Sequence, residues 1–181
     1  MYSLLYFVDR VKESFLLRYR KYVFLHRINS TEKSVRILGS VSVARCKSLQ
    51  IGKDVTIYPN VSFNGTGAII IGDNVQIGEG TIIYAHQRVV IGDNVAIAGQ
   101  CYIIDCNHDI ERDTLIQKQP LVYDESGIFI GSDVRIAAGC KIIKGAKIND
   151  GAVIGAMSLV NSEIEANGIA VGIPAKIKKY R

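Results

Sequence analysis

The chain has 181 residues, 48% hydrophobic and 22% charged, which excludes a fully disordered chain and leaves room for one domain and a short appendage. Its 27 Ile and 17 Val against 10 Leu exclude a mainly helical fold, because β-branched side chains suit pleated surfaces and crowd a helix. The formal charge of +5 sits at the ends, with +4 in residues 1–30, +4 in Lys176, Lys178, Lys179 and Arg181, and about −3 between them. That distribution argues against a nucleic-acid partner and suits a membrane surface or a small phosphorylated ligand.

Residues 1–34 form the first segment. Leu4, Val8, Val11, Phe15 and Tyr19 recur at helical spacing, with a second stripe through Leu5, Leu16 and Tyr22, and predict one or two amphipathic helices. Two roles fit them: a cap on the end of the following domain, or peripheral contact with an anionic membrane surface through residues 1–30. Asp9-Arg10 interrupts the apolar start, and it has neither a basic leader nor a small-residue cleavage site, so no signal peptide is expected. No uncharged apolar run approaches the length of a spanning helix, ~18 residues. Cys46, Cys101, Cys106 and Cys140 form no CxxC pair and read as reduced thiols. The expected location is the cytoplasm, with the inner membrane face in reach if the first segment docks there.

Residues 35–181 carry an internal repeat. The phrase Ile-Gly-x-Asp/Asn-Val-x-Ile starts at Ile51, Ile71, Ile91 and Ile130, and aliphatics recur every six residues, longest through Ile130, Ile136, Ile142, Ile148, Ile154 and Val160. The fourth residue after each aliphatic is smaller: Val134, Cys140, Ala146, Ala152, Ser158. A period of six fits neither an α-helix nor a simple amphipathic sheet. It fits a coil of three flat faces, each a short strand and a corner, with the aliphatic inward and the smaller residue filling the corner. Gly, Asn and Asp are expected to supply positive φ at those corners.

The step from Ile91 to Ile130 is about one coil too long, and the surplus is a polar loop at 105–127 containing Pro120. A loop leaving a rigid solenoid is a usual place for function. His108 stands at its mouth beside Asp105, Asn107 and Asp109, polar neighbours that can fix its tautomer and raise its basicity. The other histidines are His26, in the basic helical segment, and His86. Cys101 and Cys140 fall on inward repeat positions and read as core, and Cys106 reads as a packed neighbour rather than a nucleophile.

The hexapeptide pattern over roughly residues 35–175 resembles the left-handed parallel β-helix acyltransferases, similar to maltose and galactoside O-acetyltransferases and to O-antigen and capsule O-acetyltransferases. The resemblance implies the left-handed winding, a homotrimer and acetyl-CoA as co-substrate. It implies that His108, 17 residues after Ile91 of Ile91-Gly-Asp-Asn-Val95, is the general base, with Asp105 and Asn107 beside it. Gly172-Ile-Pro-Ala-Lys176 matches the ending of that family, which implies coenzyme A contacts at Ala138, Ala156, Asn161, Lys176 and Lys179. The family's active-site Asn of the preceding coil is missing from Gly78–Gln87, where Tyr84 and His86 stand as candidate acceptor contacts. The three-histidine zinc site of γ-class carbonic anhydrases, which share this solenoid, is absent, so no metal is expected. The implied activity is O-acetylation of a sugar hydroxyl in cell-surface polysaccharide synthesis. Transfer to an amino sugar or sugar nucleotide, and a non-catalytic scaffold, are the alternatives.

Overall fold

The computed structural model describes residues 2–181, the side chains of 2–6 and 8 excepted, so the stripe positions Leu4, Leu5 and Val8 lie outside the described residues. One helix, α1, runs from Tyr2 to Arg27, and beyond it the chain winds into a three-faced β-solenoid. Face A has eight strands, and faces B and C have six each. Strands of successive coils pair parallel in fixed register, as in Ile57↔Ile77 on face A, Phe63↔Ile83 on face B and Ile71↔Ile91 on face C. The three-faced solenoid is the one expected from the six-residue period, and the fold is the left-handed parallel β-helix that the family resemblance implied, with a helical segment before it and a loop protruding from it.

The six-residue period is the period of burial. Ile130, Ile136, Ile142, Ile148, Ile154 and Val160 are all 1% exposed or less, and the smaller residues Val134, Cys140, Ala146, Ala152 and Ser158 are buried beside them. Alternation along each strand sends the intervening residues outward, so a slip of one residue would expose the whole inward set. Removing one of these isoleucines down to the β-carbon typically costs about 2–5 kcal/mol.

The corner between faces C and A explains the Ile-Gly-x-Asp/Asn phrase. Its fourth residue has positive φ in every copy: Asp54 (55°), Asn74 (54°), Asn94 (59°) and Asp133 (55°). Its third residue builds a ladder from coil to coil. Asp73 accepts from the Lys53 N–H, and Asp93 accepts from the Asp73 N–H, each at 2.7 Å. Ser132 accepts from the Asp93 N–H at 3.1 Å, and Asp150 from the Ser132 N–H at 2.7 Å. The invariant second residue differs from expectation. Gly72 does not take positive φ; a β-carbon there would sit 2.2 Å from the Asp93 carboxylate oxygen of the next coil, so glycine is required by close approach.

Both ends of the solenoid are covered. Phe24 of α1 is buried and its ring lies 6.3 Å from that of Phe63, with Leu25 and Ile28 packed against the same core. At the other end Gly168–Gly172 turns back into Ala175–Tyr180, which pairs with it antiparallel and closes face A. The Arg181 guanidinium then donates to Asp133 Oδ2 (2.8 Å) and to the Gly151 carbonyl (3.1 Å), and Tyr180 donates to Glu165. The basic tail is therefore an edge strand with Lys176, Lys178 and Lys179 exposed.

Candidate active site

The surplus in the repeat leaves the solenoid at the corner between faces B and C. It is a two-stranded antiparallel ribbon, Cys106–His108 against Leu121–Tyr123, joined by a loop with one 3-10 turn at Ile116–Lys118. Gln119 holds that loop in shape. Its buried side chain donates to the carbonyls of Glu111 and Thr114, both at 2.7 Å, and accepts from the Glu111 N–H at 2.8 Å. The loop is thus organised by one amide, while Ile110, Leu115 and Ile116 on its outside are exposed.

Asn107 and His108 are exposed on the first ribbon strand, and His108 pairs with Leu121. Its imidazole is open to an incoming molecule. The carboxylates beside it in sequence do not hold it. Asp105 is 1% exposed, and its two oxygens accept from the backbone N–H groups of His86 (2.7 Å), Gln87 (2.8 Å) and Arg88 (2.8 Å). Asp109 accepts from the adjacent Ile110 N–H. Asp105 therefore fastens the root of the ribbon to the previous coil rather than orienting the imidazole. Burial first, and then the Asp105 carboxylate, pushes the Cys106 thiol up, against its use as a nucleophile.

One coil earlier at the same corner, Tyr84 and His86 lie with rings 5.4 Å apart. His86 Nδ1 is 3.1 Å from the Thr66 hydroxyl, while its Nε2 is enclosed without a hydrogen-bond partner. An enclosed polar nitrogen without a partner is costly. Tyr102, whose hydroxyl is pushed up by burial and then by Cys106 and Tyr84, stands next along face B. Neither Thr66 nor Gln119 carries a sequence signal: each acts through a contact the repeat does not encode.

The other candidate residues divide between corners. Ala138 and Ala156 are exposed at the corner between faces A and B, where the Met157 N–H donates to the Ala138 carbonyl. Lys176 pairs with Val171 at that same corner, because a β-carbon on Gly155 would meet the Val171 side chain. Lys179 pairs with Ile169, toward the opposite end of its strand, and Asn161 lies at the B–C corner after Leu159–Val160. So Ala138, Ala156 and Lys176 come together, and Lys179 and Asn161 do not join them. A shallow groove lined by Tyr58, Gln76, Ala96, Ala98, Gly99 and Arg135 crosses face A toward this corner. Among the described residues no group of three His, Cys, Asp or Glu is placed to hold a metal.

Residues 127–162 match the family model for the bacterial transferase hexapeptide (six repeats). No curated protein sequence matches the chain significantly. Among solved structures, the chain is similar to the N-acyltransferase AntD from Bacillus cereus, solved with dTDP and 3-hydroxybutyryl-CoA, at 22% identity and TM-score 0.75, covering 89% of this chain and 87% of that one. It is also similar to the acetyltransferase domain of PglB from Neisseria gonorrhoeae with acetyl coenzyme A, at 18% identity and TM-score 0.61, over 81% of this chain and 58% of that one. The polySia specific acetyltransferase NeuO matches at 22% identity and TM-score 0.56, over 82% and 88% of the two chains. At these identities the likeness establishes the fold.

Proposed function

We propose that the protein is a coenzyme A-dependent acyltransferase acting on a sugar, with acetyl-CoA as the donor and His108 as the general base. The observation that carries this reading is the exposed imidazole on a ribbon that leaves a hexapeptide solenoid at its one long interruption. The neighbours solved with coenzyme A or its thioesters support the donor class. The acceptor hydroxyl attacks the thioester carbonyl while His108 takes its proton. The tetrahedral oxyanion is held by backbone N–H groups, and its collapse breaks the carbon–sulfur bond. The imidazolium then returns the proton to the departing thiolate. A positioned base supplies roughly 10²–10⁴-fold and one oxyanion donor roughly 10²–10³-fold.

The acceptor is a sugar hydroxyl in this reading, in cell-surface polysaccharide synthesis. Transfer to an amino sugar is the second reading, favoured by the likeness to AntD, an N-acyltransferase that has been solved with dTDP-4-amino-4,6-dideoxyglucose. Thiol release from acetyl-CoA across matched hydroxyl and amino sugars, free and nucleotide-linked, separates them. No release with any acceptor, under conditions where the protein is folded, would leave only a scaffold role.

The reading includes a homotrimer, and part of face B supports it. From the third strand of this face on, its outward residues Ile82, Tyr84, Tyr102, Ile104, Lys141, Ile143 and Leu159 are apolar but for Lys141, while Ser42, Ser62 and Asn64 on the first two strands are polar. A threefold axis facing this sheet sets one edge of each copy's face B against the opposite edge of the next. The Ala138–Ala156–Lys176 corner of one copy then meets the His108 ribbon of its neighbour, so the donor site and the base come from different chains. Light scattering is expected to give three times 19.9 kDa, and Ile143→Asp to reduce it to one chain. A single-chain mass for the unmodified protein would defeat this arrangement.

The donor's phosphates are assigned to Lys176 first, with Lys179 farther along the same strand. Lys176→Ala should raise the KM for acetyl-CoA by a few fold, since an exposed ion pair is worth at most about 1 kcal/mol, and added salt should mimic it. Lys179→Ala should do less, because Lys179 lies toward the far end of the strand from Ala156. An unchanged KM for Lys176→Ala at low salt would remove the tail from the donor site.

A further inference from the structure

The helix α1 uses one face to cap the solenoid and leaves another without a partner. Phe24 is buried against the first coils, and Leu17 and Arg20, on the same side, are partly covered. From Phe7 to Leu16 every described side chain is exposed. Phe7, Val11, Phe15, Tyr19 and Tyr22 are 64, 52, 74, 58 and 69% exposed. At ~100° per residue these five share one stripe, on the far side of the helix from Phe24. Their continuous apolar surface is of a kind that soluble monomers rarely leave bare.

The charges sort only in part. Asp9 and Glu13 fall on the opposite side of the helix together with Arg20 and Arg27, Lys12 and Lys21 flank the stripe, Lys21 also donating to the Lys33 carbonyl, and Arg18 lies within it, where its stem can run along apolar surface and keep the guanidinium in water. An apolar centre rich in aromatics with basic margins matches the boundary between anionic headgroups and acyl chains. It does not suit a like-charged copy of the same helix, because residues 1–30 carry +4. The body between the two basic ends carries about −3 and would be repelled by an anionic surface, so contact is end-on, through α1. No helix of the described residues is long and apolar enough to cross a membrane, so α1 lies on the surface.

We infer that the Phe7–Tyr22 stripe of α1 docks the protein onto an anionic phospholipid surface, with the helix axis in the plane of the headgroups. The contact is independent of the acyl-transfer reading, and its test needs no turnover.

The chain has no tryptophan, so Phe15→Trp introduces a single reporter on the stripe. Its emission is expected to be that of an exposed indole in buffer. It should shift to the blue with vesicles containing phosphatidylglycerol, stay unshifted with phosphatidylcholine alone, and return toward the buffer value in high salt. In vesicle flotation of the full chain, Phe15→Glu should abolish binding. The pair Lys12→Glu with Lys21→Glu should weaken it at least about tenfold, at about 1 kcal/mol per basic residue. Lys178→Glu, at the other end of the molecule, should change nothing. A blue-shifted indole already in buffer would mean that protein, such as a second copy, covers the stripe, and would overturn the inference. Absence of any shift on anionic vesicles would also overturn it, as would equal losses from the helix and Lys178 variants.

Discussion

Replacing His108 by alanine is expected to lower kcat by roughly 10²–10⁴-fold, while coenzyme A binding and the melting temperature stay close to those of the unmodified protein. The side chain is exposed and, among the described residues, no hydrogen bond ties its imidazole, so the fold loses little with it. Its proposed work is proton transfer at the acceptor, not anchorage of the donor. His86→Ala is the matched control. His86 has one nitrogen at the Thr66 hydroxyl and the other enclosed, so its imidazole is held in the corner and its loss should cost much less turnover than that of His108. Steady-state kinetics with both substrates, beside isothermal titration of coenzyme A, make the comparison. Equal turnover by His108→Ala and the unmodified protein removes His108 from the mechanism, and a larger kcat loss at His86 moves the base one coil earlier.

Asp105→Ala should do the reverse, unfolding the molecule early while leaving the chemistry of the remaining folded protein intact. Three backbone N–H groups lose their acceptor at once at a buried carboxylate. Each deprived donor typically costs about 1–3 kcal/mol, with entering water offsetting part of it, so a total of about 3 kcal/mol is expected. For a chain of this size that lowers the melting temperature by roughly 6–12 °C. Asp105→Asn should fall between, because an amide offers one acceptor oxygen and turns its NH₂ toward donors. Thermal melts of the three proteins, with activity measured well below the lowest transition, give the answer. Native-like melting with lost turnover would return Asp105 to the role of orienting His108.

These two residues show what the sequence can and cannot carry. The solenoid was legible because each coil repeats the same physical demand: a large aliphatic inward, a smaller residue at the corner, positive φ at Asp54, Asn74, Asn94 and Asp133. The excursion was legible as a break in that period, which also located His108. Its internal order was not. Cys106–His108 pairs with Leu121–Tyr123 across a connection of irregular sequence, and the contacts of Gln119 lie within it, so no period marks them. Asp105 looked like a neighbour of His108 because it is three residues away, yet its carboxylate is turned toward the coil before. Glycine misled in the same way: in Ile-Gly-x-Asp/Asn it answers a close approach between coils, a demand visible only once the coils are stacked. The tail read as a basic ending, and its pairing was not legible, since Ala175-Lys-Ile-Lys178 alternates over only four residues.

The closing strand bears on how the molecule is made. Every coil rests on the one before it, so the stack can grow from the end sealed by α1 as the chain is synthesised, each coil adding to a finished template. Face A has an open edge of unpaired backbone groups at every stage of that growth, and it is covered only when Ala175–Tyr180 folds back over Gly168–Gly172. Arg181 latches that strand to Asp133 and Gly151 from coils already built. Until that strand has folded back, a growing chain presents the same invitation that fibrils exploit, an edge on which another chain could continue the ladder. The lysines along the final strand then withdraw it, because a second such strand laid alongside would bring like charges together.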